Sequence, residues 1–383
     1  MRRALAALLL LAILPACGAL IGLKHLTADE DDAGDAAGNV EGGPEGASNE
    51  DGGDASTSCA DVTRSAEHCG RCGHSCLGGT CKSSVCQPTA LATGQGTVSG
   101  IALDDTYVYF TSLSNNIVAR VPKAGGRVET LAAAPGVRMA KRLAVNATHV
   151  YWANADLFSG AIARCPIAGC AGVPEVLSQP EEPIGIALDP GFVYWADRNA
   201  SKVRRKPLDG GADQLVATTT GGLPVAVAVS GPSAFWIEDF NGDVNRSNAA
   251  GGGEVFIGVS GPSGRDLALD PSFVYWGAAQ DPGDQGKISR APRDGGGPTQ
   301  QLGPARGDPM AIAVDGTLVY WTAWERATDG GVLSGGVYAC GHSGCGAGPT
   351  VLGAAEDLPR GIATDATAVY WGANGVVMKL AKP

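Results

Sequence analysis

The chain has 383 residues, 44% of them hydrophobic, with 57 glycines and 23 prolines, which suits one large turn-rich all-β unit carrying extra segments. Its net charge of −11 is unevenly placed: ten acidic and no basic residues lie between Ala28 and Ser58, whereas residues 87–383 carry 27 acidic against 22 basic. The folded part is therefore close to neutral, and there is no electrostatic case for a nucleic-acid partner.

Arg2 and Arg3 precede an apolar run from Ala4 to Leu14, and Leu14-Pro15-Ala16-Cys17 follows. A charged start, an apolar stretch of this length and small residues before a cut describe a secretory signal. With cysteine at the cut, the stretch resembles the lipobox of bacterial lipoproteins. The resemblance implies that residues 1–16 are a signal peptide and that Cys17 is acylated with several chains, enough for stable anchoring. Gly18 after the cysteine implies, by that family's sorting rule, the outer membrane. The alternative is an uncleaved anchor from Ala4 to Leu23, a span of 20 residues without a charge, although Pro15 and Cys17 fall in its middle.

Residues 17–58 read as an acidic tether. From Thr27 to Ser58 there is no aromatic and almost no branched aliphatic residue. Such a segment cannot bury enough surface to offset chain entropy, so disorder is expected. Its r.m.s. reach would be roughly 35 Å.

Of the eleven cysteines, Cys17 is the lipid site, which leaves an even ten, as expected of an exported disulfide protein. Cys59, Cys69, Cys72, Cys76, Cys81 and Cys86 crowd into a module at 59–86, too small for its own core, where three bridges are expected. Their pairing cannot be deduced from sequence. Zinc is the alternative, because Cys69-x-x-Cys72 has ligand spacing and His68 and His74 stand nearby. The remaining pairs, Cys165 with Cys170 and Cys340 with Cys345, fall where other repeats carry a hairpin turn. A bridge clamping each is worth about 2 kcal/mol.

Residues 87–383 are organised by one pattern. Gly100-Ile101-Ala102-Leu103-Asp104 is followed by Val108-Tyr109-Phe110, and six further copies come later. The aromatic column stands at Tyr109, Tyr151, Tyr194, Phe235, Tyr275, Tyr320 and Tyr370, with spacings of 42, 43, 41, 40, 45 and 50. A β-rich repeat of this period means a propeller or solenoid. Each repeat reads as four strands, the innermost having small residues on one side and branched ones on the other. The motif aspartate is expected to cap the turn after that strand. The seventh repeat lacks its fourth strand, and 88–93 before the first repeat supplies one. The expected fold is thus all-β: a seven-bladed β-propeller of four-stranded blades, its ring closed by 88–93. The repeated Leu-Asp…Val-Tyr-Trp pattern resembles the YWTD and NHL-type propellers, and the Cys/Gly-rich module resembles those preceding propellers in bacterial surface lipoproteins. The cluster Lys202, Arg204, Arg205 and Lys206 reads as a solvated strand edge.

Six of the seven tryptophans occupy the Tyr-Trp column and are expected to pack between blades. Trp324 alone lies off it, in an insertion from Thr322 to Gly336; further insertions are expected at Asn154–Gly160 and Ala278–Gly286. The propeller's two histidines, His149 and His342, are not placed to meet a nucleophile or each other, so acid–base catalysis lacks its usual groups. Asp239 to Asp243 reads as a hairpin turn, with a calcium loop as the alternative.

The function expected is that of a lipid-anchored binding or scaffold propeller, monomeric and without a cofactor. Its partner would be an envelope protein, a glycan or an anionic small molecule. The rival is a metal-dependent propeller lactonase or lyase. Residues before each first strand should ring the channel mouth: Ser99, Lys141, Ile184, Val225, Arg265, Met310 and Arg360, with Arg142 and Asp266 next in line. Lys141, Arg142, Arg265 and Arg360 are the candidate ligand-binding cations, with Trp324 and Arg326 as a flanking lip. The competing reading is that these cations pair with Glu181, Glu182, Asp308 or Glu356 and hold blades in register. Labelling with a fatty-acid probe should tag the wild type and spare Cys17→Ser; equal labelling would favour the uncleaved anchor.

Overall fold

A computed structural model describes residue 59 and residues 61–259, 261–279, 286–326 and 332–383. The expected signal peptide, Cys17 and the expected tether lie outside the described residues. No α-helix occurs among the described residues, and none is long and apolar enough to cross a membrane.

The strands form a β-propeller. Five four-stranded antiparallel sheets cover 140–178, 183–218, 223–259, 264–304 and 308–356. Where seven separate blades are expected, hydrogen bonding gives six propeller sheets, because the first and seventh repeats share one six-stranded sheet. The cause is covalent. Thr89–Leu103 is one continuous strand whose first part pairs with Ala368–Ala381 and whose second part pairs with Tyr107–Ser112. Val376 lies opposite Thr93 and Met378 opposite Ala90, so the start of the domain is hydrogen-bonded to its end.

In five of the seven repeats the turn after the innermost strand is held by the motif's acid. Asp104 Oδ1 accepts the backbone N–H groups of Thr106 and Tyr107 at 2.7 and 2.6 Å, and its Oδ2 accepts the Tyr109 hydroxyl at 2.6 Å. Asp189 with Tyr194, Asp270 with Tyr275, Asp315 with Tyr320 and Asp365 with Tyr370 repeat the hydroxyl contact. In the second repeat Asn146 takes the acid's place and donates from Nδ2 to the Tyr151 hydroxyl at 3.3 Å. In the fourth, Ser230 replaces the acid and Phe235 the tyrosine, so both partners are lost together. Burial alone would raise the Asp104 pKa, but the hydrogen bonds from Tyr109, Tyr107 and Thr106 outweigh it and hold the carboxyl below its ordinary value. Burial, aided by the bond to Asp104, pushes the Tyr109 hydroxyl up to about 12.

The column's next residue joins neighbouring sheets. Trp152 packs with Tyr109, Val118 and Leu131 of the first repeat, and Trp236 with Tyr194, Val203 and Val216 of the third. Trp276, Trp321 and Trp371 do the same one repeat further on. Phe110, in the equivalent position, meets Tyr370 and Val377, which carries the packing across the closure. The innermost strands lie close enough that a Cβ at Gly100 would stand 2.9 Å from the Lys141 carbonyl oxygen, and one at Gly185 2.7 Å from the Ala226 Cα. Side chains are excluded there by the neighbouring backbone.

Two sequence expectations change in detail. Lys202–Pro207 is not an edge: it pairs with Phe192–Asp197 on one side and Gln214–Thr218 on the other. Its cations are occupied, with Arg205 stacked 3.9 Å over the Phe192 ring and Lys206 3.1 Å from Asp213. The disulfides Cys165–Cys170 and Cys340–Cys345 clamp their hairpins and also reach the preceding sheet. Cys170 N–H donates to the Leu131 carbonyl and Cys345 N–H to that of Leu302, both at 2.9 Å.

In the module the bridges are Cys59–Cys72, Cys69–Cys81 and Cys76–Cys86. The sulfurs of Cys69, Cys76 and Cys86 lie within 4.8 Å of one another, but each belongs to a disulfide and has no thiolate to offer zinc. The module packs at the far ends of the innermost strands. Lys379, only 7% exposed, donates to the carbonyls of Leu77 and Lys123, both at 2.9 Å. His74 Nε2 lies 2.7 Å from the Lys382 carbonyl.

The acid–tyrosine pair should be coupled. In a cycle of Asp104→Ser, Tyr109→Phe and the double variant, chemical denaturation at neutral pH should give a coupling near the low end for a bond to a charged group, about 1.5 kcal/mol. Because the folded Asp104 pKa is depressed, that coupling is full above the ordinary aspartate value. It should fade as pH falls below that value toward the depressed one. Additive single variants would contradict it.

Candidate functional site

The mouth of the channel is built by β-bulges. Pairing between first and second strands slips between Val98 and Ile101, Ala140 and Arg142, Pro183 and Ile186, Pro224 and Ala226, Gly264 and Asp266, and Pro309 and Ala311. The residues left unpaired include Ser99, Lys141, Ile184, Val225, Arg265 and Met310. A bulge re-aims its extra side chain, and these six, with Arg360, line one cavity of about 380 Å³. The size is at the small end of the range for small-molecule sites.

The floor is a bridge across the channel. Arg142, from the second repeat, puts Nη1 2.8 Å from Asp266 Oδ2 of the fifth. Asp266 also accepts the Ile312 backbone N–H at 3.1 Å, and Arg142 Nη2 donates to the Met310 carbonyl at 3.4 Å. Three repeats are thereby tied together under the cavity. Arg142, expected as a ligand cation, is occupied as a structural bolt.

On the wall, Arg198 lies 3.3 Å from Glu182 and 3.4 Å from Asp239, and Lys141 lies 4.0 Å from Glu182. Glu182 is 5% exposed, so its charge depends on these partners. Arg265 and Arg360 have no carboxylate within ion-pairing distance among the described residues, and the Nε of each is buried without a hydrogen-bond acceptor. Arg360 instead lies 4.4 Å over the Trp324 ring, and Trp324 is fixed by its Nε1–H donating to the Pro359 carbonyl at 2.8 Å. Burial depresses the pKa of Arg360. It does the same to Lys141, where Glu182 opposes the shift while Arg198 and Arg360 add to it.

Lys141, Arg142, Arg265 and Arg360 are thus brought together, with Trp324 beside them. Arg326 pairs through its backbone with Val332, and its side chain lies outside the described residues. The expected insertion at Thr322–Gly336 is a lengthened hairpin, with Trp324 opposite Gly335. Most of the one at Ala278–Gly286 lies outside the described residues. The one at Asn154–Gly160 builds a separate groove, where Asp156 caps the N–H of Phe158 and that ring is 99% exposed. Sequence reasoning missed Arg198 and Asp239, which come from second-strand ends; the aromatic column fixes those ends and could have found them.

The Asp239 to Asp243 turn is a polar network. Asn241 Nδ2 donates to Glu238 Oε2 at 3.0 Å and to Asp243 Oδ2 at 2.8 Å, while Trp236 Nε1 and Asn245 Nδ2 both donate to Glu238 Oε1 at 3.1 Å. These neutral donors occupy the Glu238 carboxylate. His342 is spent elsewhere, with Nδ1 3.7 Å from Asp270 and its ring against Tyr275.

No family model matches the chain. Among solved structures, a catalytically inactive virginiamycin B lyase from Staphylococcus aureus with quinupristin aligns at a TM-score of 0.63 and 15% identity, covering 78% of this chain and 99% of that one. A hydrazine synthase of Kuenenia stuttgartiensis aligns at 0.59 and 14%, covering 76% and 96%. U3-55K aligns at 0.60 and 12%, covering 77% and 98%. At these identities the likeness is one of fold.

Arg142→Met should destabilise by about 3 kcal/mol, since it strands a largely buried carboxylate. Arg142→Met with Asp266→Leu should recover much of that loss in thermal melts; equal losses would mean the bridge holds nothing.

Proposed function

We propose that this chain is an exported, lipid-anchored binding propeller that presents its channel mouth to an anionic ligand. The carrying observation is the pair Arg265 and Arg360, two partly buried guanidiniums lining one cavity without carboxylate partners among the described residues. A cation held in a low-dielectric wall gains more from an arriving anion than one in water does. Binding rather than catalysis is supported by the state of the nearby acids, because Glu182 and Asp239 are both tied to Arg198. Neither is presented as a free base. The lyase likeness adds the fold and nothing more.

The anchoring half of the proposal rests on the Leu14 to Cys17 motif. The 59–86 module packs beside Leu318 and Ala381 at the far ends of the innermost strands, whereas the mouth is at their starts.

Detergent-solubilised full-length protein, incubated with the small-molecule fraction of its host's envelope, should retain an anionic mass in native mass spectrometry. Arg265→Ala with Arg360→Ala should lose that mass at unchanged Tm. Retention by the double variant, or loss explained by unfolding, would overturn the assignment.

A further inference from the structure

The charges of the mouth do not balance. Lys141, Arg142, Arg198, Arg265 and Arg360 face Glu182, Asp239 and the floor's Asp266. With the Arg142–Asp266 bridge neutral and Arg198 shared between two acids, two positive charges remain uncompensated. Their arrangement follows from repeat order. Arg360 and Lys141 stand on either side of Ser99, in the seventh, second and first repeats. Arg265 stands on the other side of the ring, in the fifth. Between them one arc carries Met310, and the other carries Ile184 and Val225 beside the ion pairs of Arg198 with Glu182 and Asp239. The Arg142–Asp266 bridge measures the gap one residue deeper: a single arginine from the second repeat reaches a carboxylate of the fifth.

We infer that the mouth takes a short α,ω-dicarboxylate, one carboxylate on Arg265, the other between Arg360 and Lys141, and a hydrocarbon spacer over Met310. The inference rests on the anionic-ligand reading above and narrows it. A dianion neutralises the residual charge, and each guanidinium is suited to a planar carboxylate that it can bind through two parallel hydrogen bonds. An apolar spacer matches the Met310 arc between Arg265 and Arg360. The cavity's size suits a small molecule rather than a polyanion.

The test is calorimetry with full-length protein at constant ionic strength, comparing glutarate, pentanoate and inorganic phosphate. Glutarate should bind at least tenfold more tightly than pentanoate. Arg265→Gln and Arg360→Gln should each reduce glutarate to the pentanoate level with Tm unchanged, and Arg265→Lys should recover part of the difference. Equal affinities for glutarate and pentanoate, both lost in the Arg265→Gln/Arg360→Gln double variant, would leave an anion site and sink the dicarboxylate. Phosphate binding more tightly than glutarate would replace a spanning ligand with a compact one. If none of the three binds the wild type, both readings fall. If an Arg→Gln variant does not fold, the Arg265→Lys comparison and the wild-type glutarate-to-pentanoate ratio still decide.

Discussion

The hydrogen bond between the turn acid and the tyrosine five residues later is the constraint on which the repeat depends. One carboxylate ends the innermost strand, shapes the turn through two backbone N–H groups and fixes the hydroxyl of the column residue. The next residue along that strand is then aimed at the preceding sheet, where the tryptophans pack. Turn, strand register and sheet-to-sheet contact are therefore set by one side chain. The fourth repeat shows the coupling by its loss. Where the acid becomes Ser230 the tyrosine becomes Phe235, because a buried hydroxyl without an acceptor would be costlier than none.

The same logic separates what was legible from what was not. The acid, the aromatic column and the tryptophans carry their roles in residue type and spacing, so the propeller and its inter-sheet packing could be read directly. The joining of terminal segments could be read from a missing strand. That the joint would be one strand running from Thr89 to Leu103, merging two repeats into a single sheet, depends on backbone continuity through Gly94 and Gly96, which no residue pattern announces. Lys202–Pro207 was misread as an edge for a related reason. Its charged side chains are those of a third strand stacking outward on Phe192, and composition does not distinguish that from an edge.

At the mouth, the cations were identifiable because repeat alignment places them in equivalent positions. Which of them is free was not. Arg142 and Arg265 are both basic and both stand near the start of a first strand, yet one is bolted to Asp266 and the other has no acid in ion-pairing distance among the described residues. The difference is the bulge. Arg265 is left unpaired by the slip between Gly264 and Asp266, whereas Arg142 lies beyond its slip, paired with Ala153, and points across the channel one layer down. A one-residue offset turns a wall residue into a floor residue.

This offset also explains how a ring of inner strands with glycines at close approach can carry a charged cavity without losing rigidity. The lower layer spends its charges on each other, and the bridge binds the second, fifth and sixth repeats. The upper layer holds cations whose burial depresses the pKa values of Lys141 and Arg360, with Arg198 and Arg360 adding repulsion at Lys141. Such repulsion is tolerable only on a scaffold that cannot relax by opening. Here three devices oppose opening: the pairing of 89–97 with the last strand, the bridge, and buried Lys379 between the module, the first repeat and the last strand. The cost of assembling like charges is thus carried by the ring as a whole, and the anion proposed for the mouth would relieve it.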